Sequence, residues 1–253
     1  MPRLARERSN SGIYHIMVRG INRQNLFEDD EDRHRLIQTI GFYKSISNYD
    51  LYGYCLMNNH IRLLMRETGE TISQAIKRIS SSYVHWYNQK YKRCGHLFQE
   101  RFKSEVVETD AYFLTVLRYI HQNPIKAGLV TGIGDYRWTS YSEYIASSTV
   151  TDTEFGIGIF ANDRKKALSL FKAYMDEMTT DECLDDFEKI SITDEEITVY
   201  LRSIGIESIS AFQRYDKDER DQVLRRLKAI RGITVRQLAR VTGVSKSVID
   251  RIK

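Results

Sequence analysis

The chain has 253 residues, 42% of them hydrophobic, with 16 tyrosines and 10 phenylalanines; this is enough apolar material for a core and too much for a disordered chain. No apolar run approaches the roughly 20 residues that cross a bilayer, and the charged start M-P-R-L-A-R-E-R-S-N lacks the apolar stretch of a secretory signal. The net charge of +4 is unevenly spread: nine basic residues against the single acid Asp250 give residues 222–253 a charge of +8, leaving −4 for the rest.

Ile13–Arg19 (I-Y-H-I-M-V-R) is a β-rich run closed by Gly20. Residues 29–48 begin with acidic capping groups and place Leu36, Ile37, Ile40, Tyr43 and Ile46 at helical spacing. Tyr49–Met57 and His60–Glu67 flank Asn58-Asn59, a hairpin signal. Residues 71–91 form a second helix on a stripe of Ile72, Ala75, Ile76, Ile79, Tyr83 and Trp86. Residues 96–108, containing F-Q-E-R-F-K, are a fourth extended segment. Asp110 then caps a helix through Phe113, Val116, Leu117 and Ile120 that stops at Asn123-Pro124.

The order β-α-β-β-α-β followed by a helix predicts an α+β fold, the ferredoxin-like split βαβ arrangement. Two helices cover one face of a four-stranded antiparallel sheet, and the other face is left for a ligand or another element. This domain takes residues 1–145. Residues 146–192 read as a linker and helical connector: 146–158 is rich in Ser, Thr and Gly, 164–178 is an amphipathic helix, and 180–196 is acidic, with helix ends and turns. Residues 193–253 read as a small all-α domain. Cys55, Cys94 and Cys183 are isolated, so neither a disulfide framework nor a cysteine zinc site is indicated, and a soluble cytoplasmic protein without membrane contact is expected.

Within the last domain, V-R-Q-L-A-R-V-T-G-V-S-K-S-V-I-D-R-I fits a helix-turn-helix. Ala239 is the small residue at the helix crossing and Gly243 supplies a left-handed turn position. Leu238, Val244, Ile249 and Ile252 hold the pair together, and Ser245 can cap the second helix. Ser245, Lys246, Ser247 and Arg251 are the expected DNA-facing residues, with Arg225, Arg226 and Arg231 available to phosphates. The alternative is a helical hairpin that only packs against the main domain, with its charges on a solvated face.

In the first domain, R-Y-I-H-Q-N-P places Tyr119 and Asn123 one helical turn apart. A tyrosine attacks phosphorus only when its proton affinity is lowered and the phosphate is neutralised, and a divalent metal does both. The Asn123 carboxamide is a hard-oxygen ligand of the kind Mg²⁺ or Mn²⁺ accepts. If this helix lies on the open sheet face, both residues approach His60. Taken alone, a tyrosine in an apolar stripe is as well explained by packing, and an asparagine before proline by a helix stop.

Several stretches, in order, resemble the REP-associated tyrosine transposases, relatives of the single-strand insertion-sequence transposases in the HUH endonuclease superfamily. They are Y-H-I-M-V-R-G-I-N-R-Q at 14–24, F-E-D-D-E-D-R at 27–33, Y-C-L-M-N-N-H-I-R-L-L at 54–64, G-H-L-F-Q-E-R-F-K-S at 95–104, R-Y-I-H-Q-N-P-I-K-A-G-L-V at 118–130 and W-T-S-Y at 138–141. The resemblance covers about residues 10–145, and the C-terminal motif resembles the DNA-binding appendage of some longer members. It implies the ferredoxin-like sheet, Tyr119 as nucleophile, and attack on single-stranded DNA that leaves a 5′-phosphotyrosine and a 3′-hydroxyl. It also implies a hairpin-forming palindrome as substrate, cut beside its foot, and a metal clip of two histidines with a ligand one turn beyond the tyrosine. Those metal positions are His60, Arg62 and Asn123. Arg101 and Lys103 are expected to contact the DNA backbone.

Arg62 departs from that pattern, because a guanidinium binds no metal and repels one. Three consequences stay open. Arg62 contacts the scissile phosphate in place of the metal, or His15 on the first strand substitutes as ligand, or the protein binds DNA and has lost cleavage. The functions to separate are therefore a metal-dependent tyrosine nickase of hairpin-forming DNA, a catalytically silent DNA-binding regulator, and an RNA binder using the open sheet face. The last lacks the aromatic G-F-x-F signature of such sheets. Monomer and homodimer are equally compatible with the sequence.

Overall fold

The computed structural model describes residues 6–99, 101–179, 181, 183–184, 194–206, 208, 212–230 and 233–252. The chain forms two units, Met1–Leu184 and Asp185–Lys253.

In the first unit the elements run β1 (Ile13–Arg19), α1 (Asp30–Ser47), β2 (Tyr49–Met57), β3 (His60–Glu67), α2 (Ile72–Lys90), β4 (Lys103–Val106) and α3 (Asp110–Lys126). The strands make one antiparallel sheet in the order β2-β3-β1-β4, the expected split βαβ topology. α1 starts on a capping box between Asp29 and Asp32 and ends at Asn48 in the left-handed region, φ 49°. α2 starts on a second box, Thr71 with Gln74. Each such cap is worth about 1 kcal/mol, because it satisfies backbone N–H groups that have no partner inside the helix.

Cross-strand partners share a face, so the register sorts the side chains. Tyr14, Ile16 and Val18 of β1 lie opposite Met65, Leu63 and Ile61 of β3, and with Tyr54 and Leu56 of β2 they form the core under α1 and α2. The alternate residues, His15, Met17 and Arg19, lie opposite Leu64, Arg62 and His60 on the other face. That second face is covered by α3.

Three local expectations differ from what forms. The fourth strand is Lys103–Val106 rather than 96–108, because it is an edge strand that pairs with β1 alone; upstream, Phe98 makes an isolated bridge to Gly20. The cap of α3 is Thr109, whose hydroxyl accepts from Tyr112 N–H at 3.2 Å, not Asp110. α3 also runs through Pro124 to Lys126. Proline removes one N–H bond, but only one turn from the helix end, and the Ala127 N–H still bonds the Asn123 carbonyl at 3.0 Å.

Beyond α3, α4 (Tyr141–Ile145), α5 (Thr153–Gly158) and α6 (Arg164–Asp176) close the unit. The Ser/Thr/Gly-rich stretch read as a linker thus contains a short helix. Its Phe155 packs against Tyr52 and Phe113, at ring distances of 5.1 and 5.0 Å. Phe171 of α6 is fully buried and stacks on Tyr144 at 4.8 Å. Of the acidic segment 180–196, residues 180, 182 and 185–193 lie outside the described residues.

The second unit holds α7 (Asp194–Ser203), α8 (Lys217–Ala229), α9 (Val235–Thr242) and α10 (Lys246–Arg251) around Ile197, Leu201, Leu224, Leu227, Leu238 and Ile249. α9 begins on a Thr234–Gln237 capping box and ends at Gly243, φ 70°, the turn before α10. Among the described residues no helix is long and apolar enough to cross a membrane.

Candidate active site

α3 lies close against the sheet because β2 offers it a glycine. A Cβ on Gly53 would stand 2.8 Å from Leu117 Cδ1, so a larger residue would force the Leu117 side chain to shift. Phe113, Val116, Leu117 and Ile120 fill the interface with Ile13, Cys55 and Leu64. This seating brings Tyr119 and Asn123 over β3.

Asn123 Oδ1 is 3.2 Å from His60 Nε2, and His60 Nδ1 is 2.8 Å from Asn59 Oδ1 in the hairpin turn. Two amide oxygens on the two ring nitrogens are satisfied together only by an imidazolium; with either amide turned over, the neutral ring meets both. The Asn58-Asn59 turn is itself held, since its carbonyls accept from Leu26 N–H at 2.7 Å and Gly20 N–H at 2.9 Å. His60 is therefore aimed by backbone contacts on one side and by Asn123 on the other.

Tyr119 is 4% exposed. Its ring carries the Arg62 guanidinium at 4.8 Å and the Lys126 ammonium at 4.6 Å, with the His15 ring edge-on at 6.0 Å. The cations concentrate positive charge at Tyr119, one helical turn from Asn123. His15 is fully buried, with Nδ1 3.7 Å from Glu105 Oε2. The neighbouring His15 imidazole holds the Glu105 carboxyl below its usual range against the opposing effect of burial.

The end of this unit crosses the same site. Arg62 Nη1 donates to the Leu184 carbonyl at 2.6 Å, and Leu184 N–H donates to Glu105 Oε2 at 2.9 Å. Lys126 donates to the Asp181 carbonyl at 3.1 Å, and Arg118 Nη2 to Asp181 Oδ2 at 2.7 Å. Gln122 Nε2 reaches Met175 O and Glu177 O at 2.7 and 2.9 Å. The cations on the ring of Tyr119 are thus also the groups that hold this segment down.

The residues of a metal clip are only partly assembled. His60 and Asn123 bring a ring nitrogen and an amide oxygen together, and the cation Arg62 takes the position of the second histidine. Among the described residues no group of three or more His, Cys, Asp or Glu side chains could hold a metal ion. His15 does not complete the set: it lies opposite Leu64, four residues from His60, or about 13 Å at a strand's rise per residue. Met17, not His15, is opposite Arg62. Among the described residues the donor set does not by itself fit a resident Mg²⁺ or Mn²⁺ ion.

The DNA-facing candidates divide. Lys103, opposite Met17, shares the face of Arg62, whereas Arg101 lines a groove beside α2, so the two are not one patch. In the second unit, Arg225, Arg226, Ser245, Lys246, Ser247 and Arg251 are exposed, and Arg231 lies outside the described residues. Ser245 stands at the N-cap of α10 without accepting a backbone N–H; its hydroxyl is 3.2 Å from Ser247 Oγ instead. Lys228, one of the basic tail, caps α10 through the Ile252 and Ile249 carbonyls at 2.7 and 3.2 Å.

Sequence reasoning missed Lys126, Asn59, Glu105 and the Asp181–Leu184 contacts. Lys126 had a signal, since 119, 123 and 126 follow the i, i+4, i+7 spacing of one helix face. Asn59 was read only as a turn residue. Glu105 and Leu184 carry no local signal, because their roles depend on pairing register and on chain distant in sequence. His121, two residues from Tyr119, is buried away from the site, with Nε2 2.8 Å from Ser140 Oγ; burial lowers its pKa to about 3.

Residues 8–123 match the family model described as Transposase IS200 like. A Haemophilus influenzae protein bearing the name REP-associated tyrosine transposase is 24% identical over 156 residues, covering 56% of this chain and 86% of the relative. A solved structure of a REP-associated tyrosine transposase bound to a REP hairpin superposes with a TM-score of 0.51 at 16% identity, covering 65% of this chain and 93% of that one. Residues 8–123 thus resemble the IS200-like transposases, and the likeness of the chain in sequence and fold runs to the REP-associated tyrosine transposases.

Proposed function

We propose that the protein binds hairpin-forming DNA and nicks an adjoining single strand through Tyr119. The observation that carries this reading is the convergence on one sheet face of Tyr119, Asn123 and His60, with Arg62 and Lys126 on the tyrosine ring. The Tyr119 oxygen attacks phosphorus, the bond from phosphorus to the 3′-oxygen breaks, and a 5′-phosphotyrosine forms. The proton lost by the phenol is matched by the one gained by the leaving 3′-oxygen, and the reverse reaction rejoins the strand. Arg62 and Lys126 supply the charge that neutralises the phosphate, a role guanidinium donors fill well. His60 is oriented by Asn59 and Asn123, and by exchanging its 3.2 Å contact with Asn123 its Nε2 can hydrogen-bond a phosphate oxygen or the leaving oxygen. No step is routed through a metal, because among the described residues only His60 and Asn123 converge as donors.

α9 and α10 add affinity for duplex or hairpin DNA, with Ser245, Lys246, Ser247 and Arg251 toward bases and Arg225 and Arg226 toward phosphates. The relative solved with a REP hairpin supports the DNA partner. A second reading, a silent DNA-binding regulator, is favoured by the burial of Tyr119 and by the commitment of Arg62 to the Leu184 carbonyl.

The test is to incubate the protein with a labelled hairpin oligonucleotide carrying single-stranded flanks and look for a covalent adduct on a denaturing gel. An adduct absent from Tyr119→Phe supports cleavage. Hairpin binding without an adduct in any condition supports the regulator, and an adduct surviving Tyr119→Phe means that another tyrosine is the nucleophile.

A further inference from the structure

Two adjoining hollows on the α2 side of the sheet take no part in the chemistry at Tyr119. They measure about 320 and 340 Å³ and share Arg6, Ser73 and Phe102. One wall is α2, where Ser73, Lys77, Ser80 and Ser81 follow the i, i+4, i+7, i+8 spacing of a single face. The opposite wall is the stretch leading into β4, with Phe98, Arg101 and Phe102. Residues 6–9 close one end.

Arg6 builds that end. Its guanidinium lies 3.5 Å over the Phe102 ring and donates to the Phe102 carbonyl at 2.9 Å and to Ser73 Oγ at 3.1 Å. Burial first, and the neighbouring Arg101 second, lower its hold on its proton. Arg8, Lys77 and Arg101 add three exposed cations. Among the described acids at the rim, Glu67 accepts from Ile72 N–H at 2.9 Å and so serves the start of α2, and Glu7 stands beside the cations Arg6, Arg8, Lys77 and Arg101. Phe98 and Phe102 are both partly exposed, although they pack on the core.

A line of hydroxyls and cations facing partly exposed aromatic rings suits a single nucleic-acid strand, which presents phosphates on one side and flat bases on the other. A protein partner would not explain the serine row, and an apolar ligand would not explain the charge. We propose that this groove binds a single-stranded DNA tract, phosphates toward Arg6, Arg8, Lys77, Arg101 and the α2 serines and bases toward Phe98 and Phe102. The proposal rests on the hairpin-DNA reading above and adds to it where the unpaired flank runs. β4 is the edge of the sheet; Lys103 lies on the Arg62 face and Ser104 lines the groove. A flank that rounds this edge passes from the groove to the side of Tyr119.

Fluorescence anisotropy on the full chain tests this with three probes: a blunt hairpin, the same hairpin with a single-stranded thymidine tail, and a free thymidine oligomer. The wild type is expected to bind the tailed hairpin about tenfold more tightly than the blunt one. Arg8→Ala/Lys77→Ala should erase that gain, lower the salt slope for the tailed probe by about 0.7 per lost phosphate contact, and leave blunt-hairpin binding unchanged. Both side chains are exposed, and thermal melting checks the fold. A wild type that does not distinguish tailed from blunt, or a double variant that still does, overturns the groove. If neither hairpin binds, the functional reading has failed and the thymidine oligomer decides the groove alone: weaker binding by the variant supports it, equal binding overturns it.

Discussion

The two faces of the sheet use the same strands one residue out of phase. On the α1/α2 face, Ile16 meets Leu63 and Val18 meets Ile61, all buried and apolar. On the α3 face, Met17 meets Arg62 and Arg19 meets His60, and the buried side chains include His15, Arg62 and Asn123. A slip of one residue would exchange the two sets, placing a histidine and a guanidinium in the core. The cost of that exchange, several kcal/mol for each unpaired buried charge, keeps the register fixed. The apolar face thus positions the charged one, and chemistry and stability should separate when each is perturbed.

The largest separation is expected at Tyr119. Tyr119→Phe should reduce the covalent adduct to background while hairpin affinity and the melting temperature stay close to wild type. Next is the core face: Leu63→Ala should cost about 2–5 kcal/mol in denaturant unfolding. Its adduct yield per folded molecule should not change, and a selective loss of chemistry would show that the faces are not independent. Arg62→His is smaller and more specific. It replaces the guanidinium by an imidazole beside His60 and Asn123, so its adduct yield should rise with added Mn²⁺ while that of the wild type does not. Adduct from Arg62→His alone would assign the present chain to the silent regulator.

Asp181→Ala should increase adduct yield several-fold, since it removes the 2.7 Å bond to Arg118 that helps hold the segment across Tyr119. The smallest effect is a pH dependence confined to the polar face. Glu105 has a lowered pKa, mainly through His15, so its stabilising contribution is complete above the ordinary carboxylate value of about 4.3 and is lost as pH falls through and below it. The difference in urea midpoint between wild type and Glu105→Gln should therefore shrink below about pH 4.

Much of this was legible because it depends on local chemistry. Strand β1, the β2–β3 hairpin and helices α1 and α2 follow from alternation, from Asn58-Asn59 and from caps such as Asp29 and Thr71. Tyr119 and Asn123 share a face because four residues are about one helical turn. The run through Pro124 was not legible, because proline disfavours a helix but does not forbid its last turn. The short β4 was not either, since an edge strand extends only as far as its neighbour offers partners.

The sequence by itself determined the split βαβ order, the helix–glycine turn–helix at the C-terminus, and which residues were candidates for chemistry. Periodicity, capping and turn propensity act within a few residues, and each reports its own neighbourhood. Only the tertiary structure decided that Asn123 reaches His60, that His15 sits with Glu105 instead of completing a clip, and that Lys126 and Arg62 flank Tyr119 beneath contacts to Asp181 and Leu184. It also decided that Arg6, Lys77 and Arg101 share a groove with Phe102. Those pairings join residues tens of positions apart, and they depend on strand register and on how closely Gly53 lets α3 approach the sheet, neither of which any short window of sequence contains.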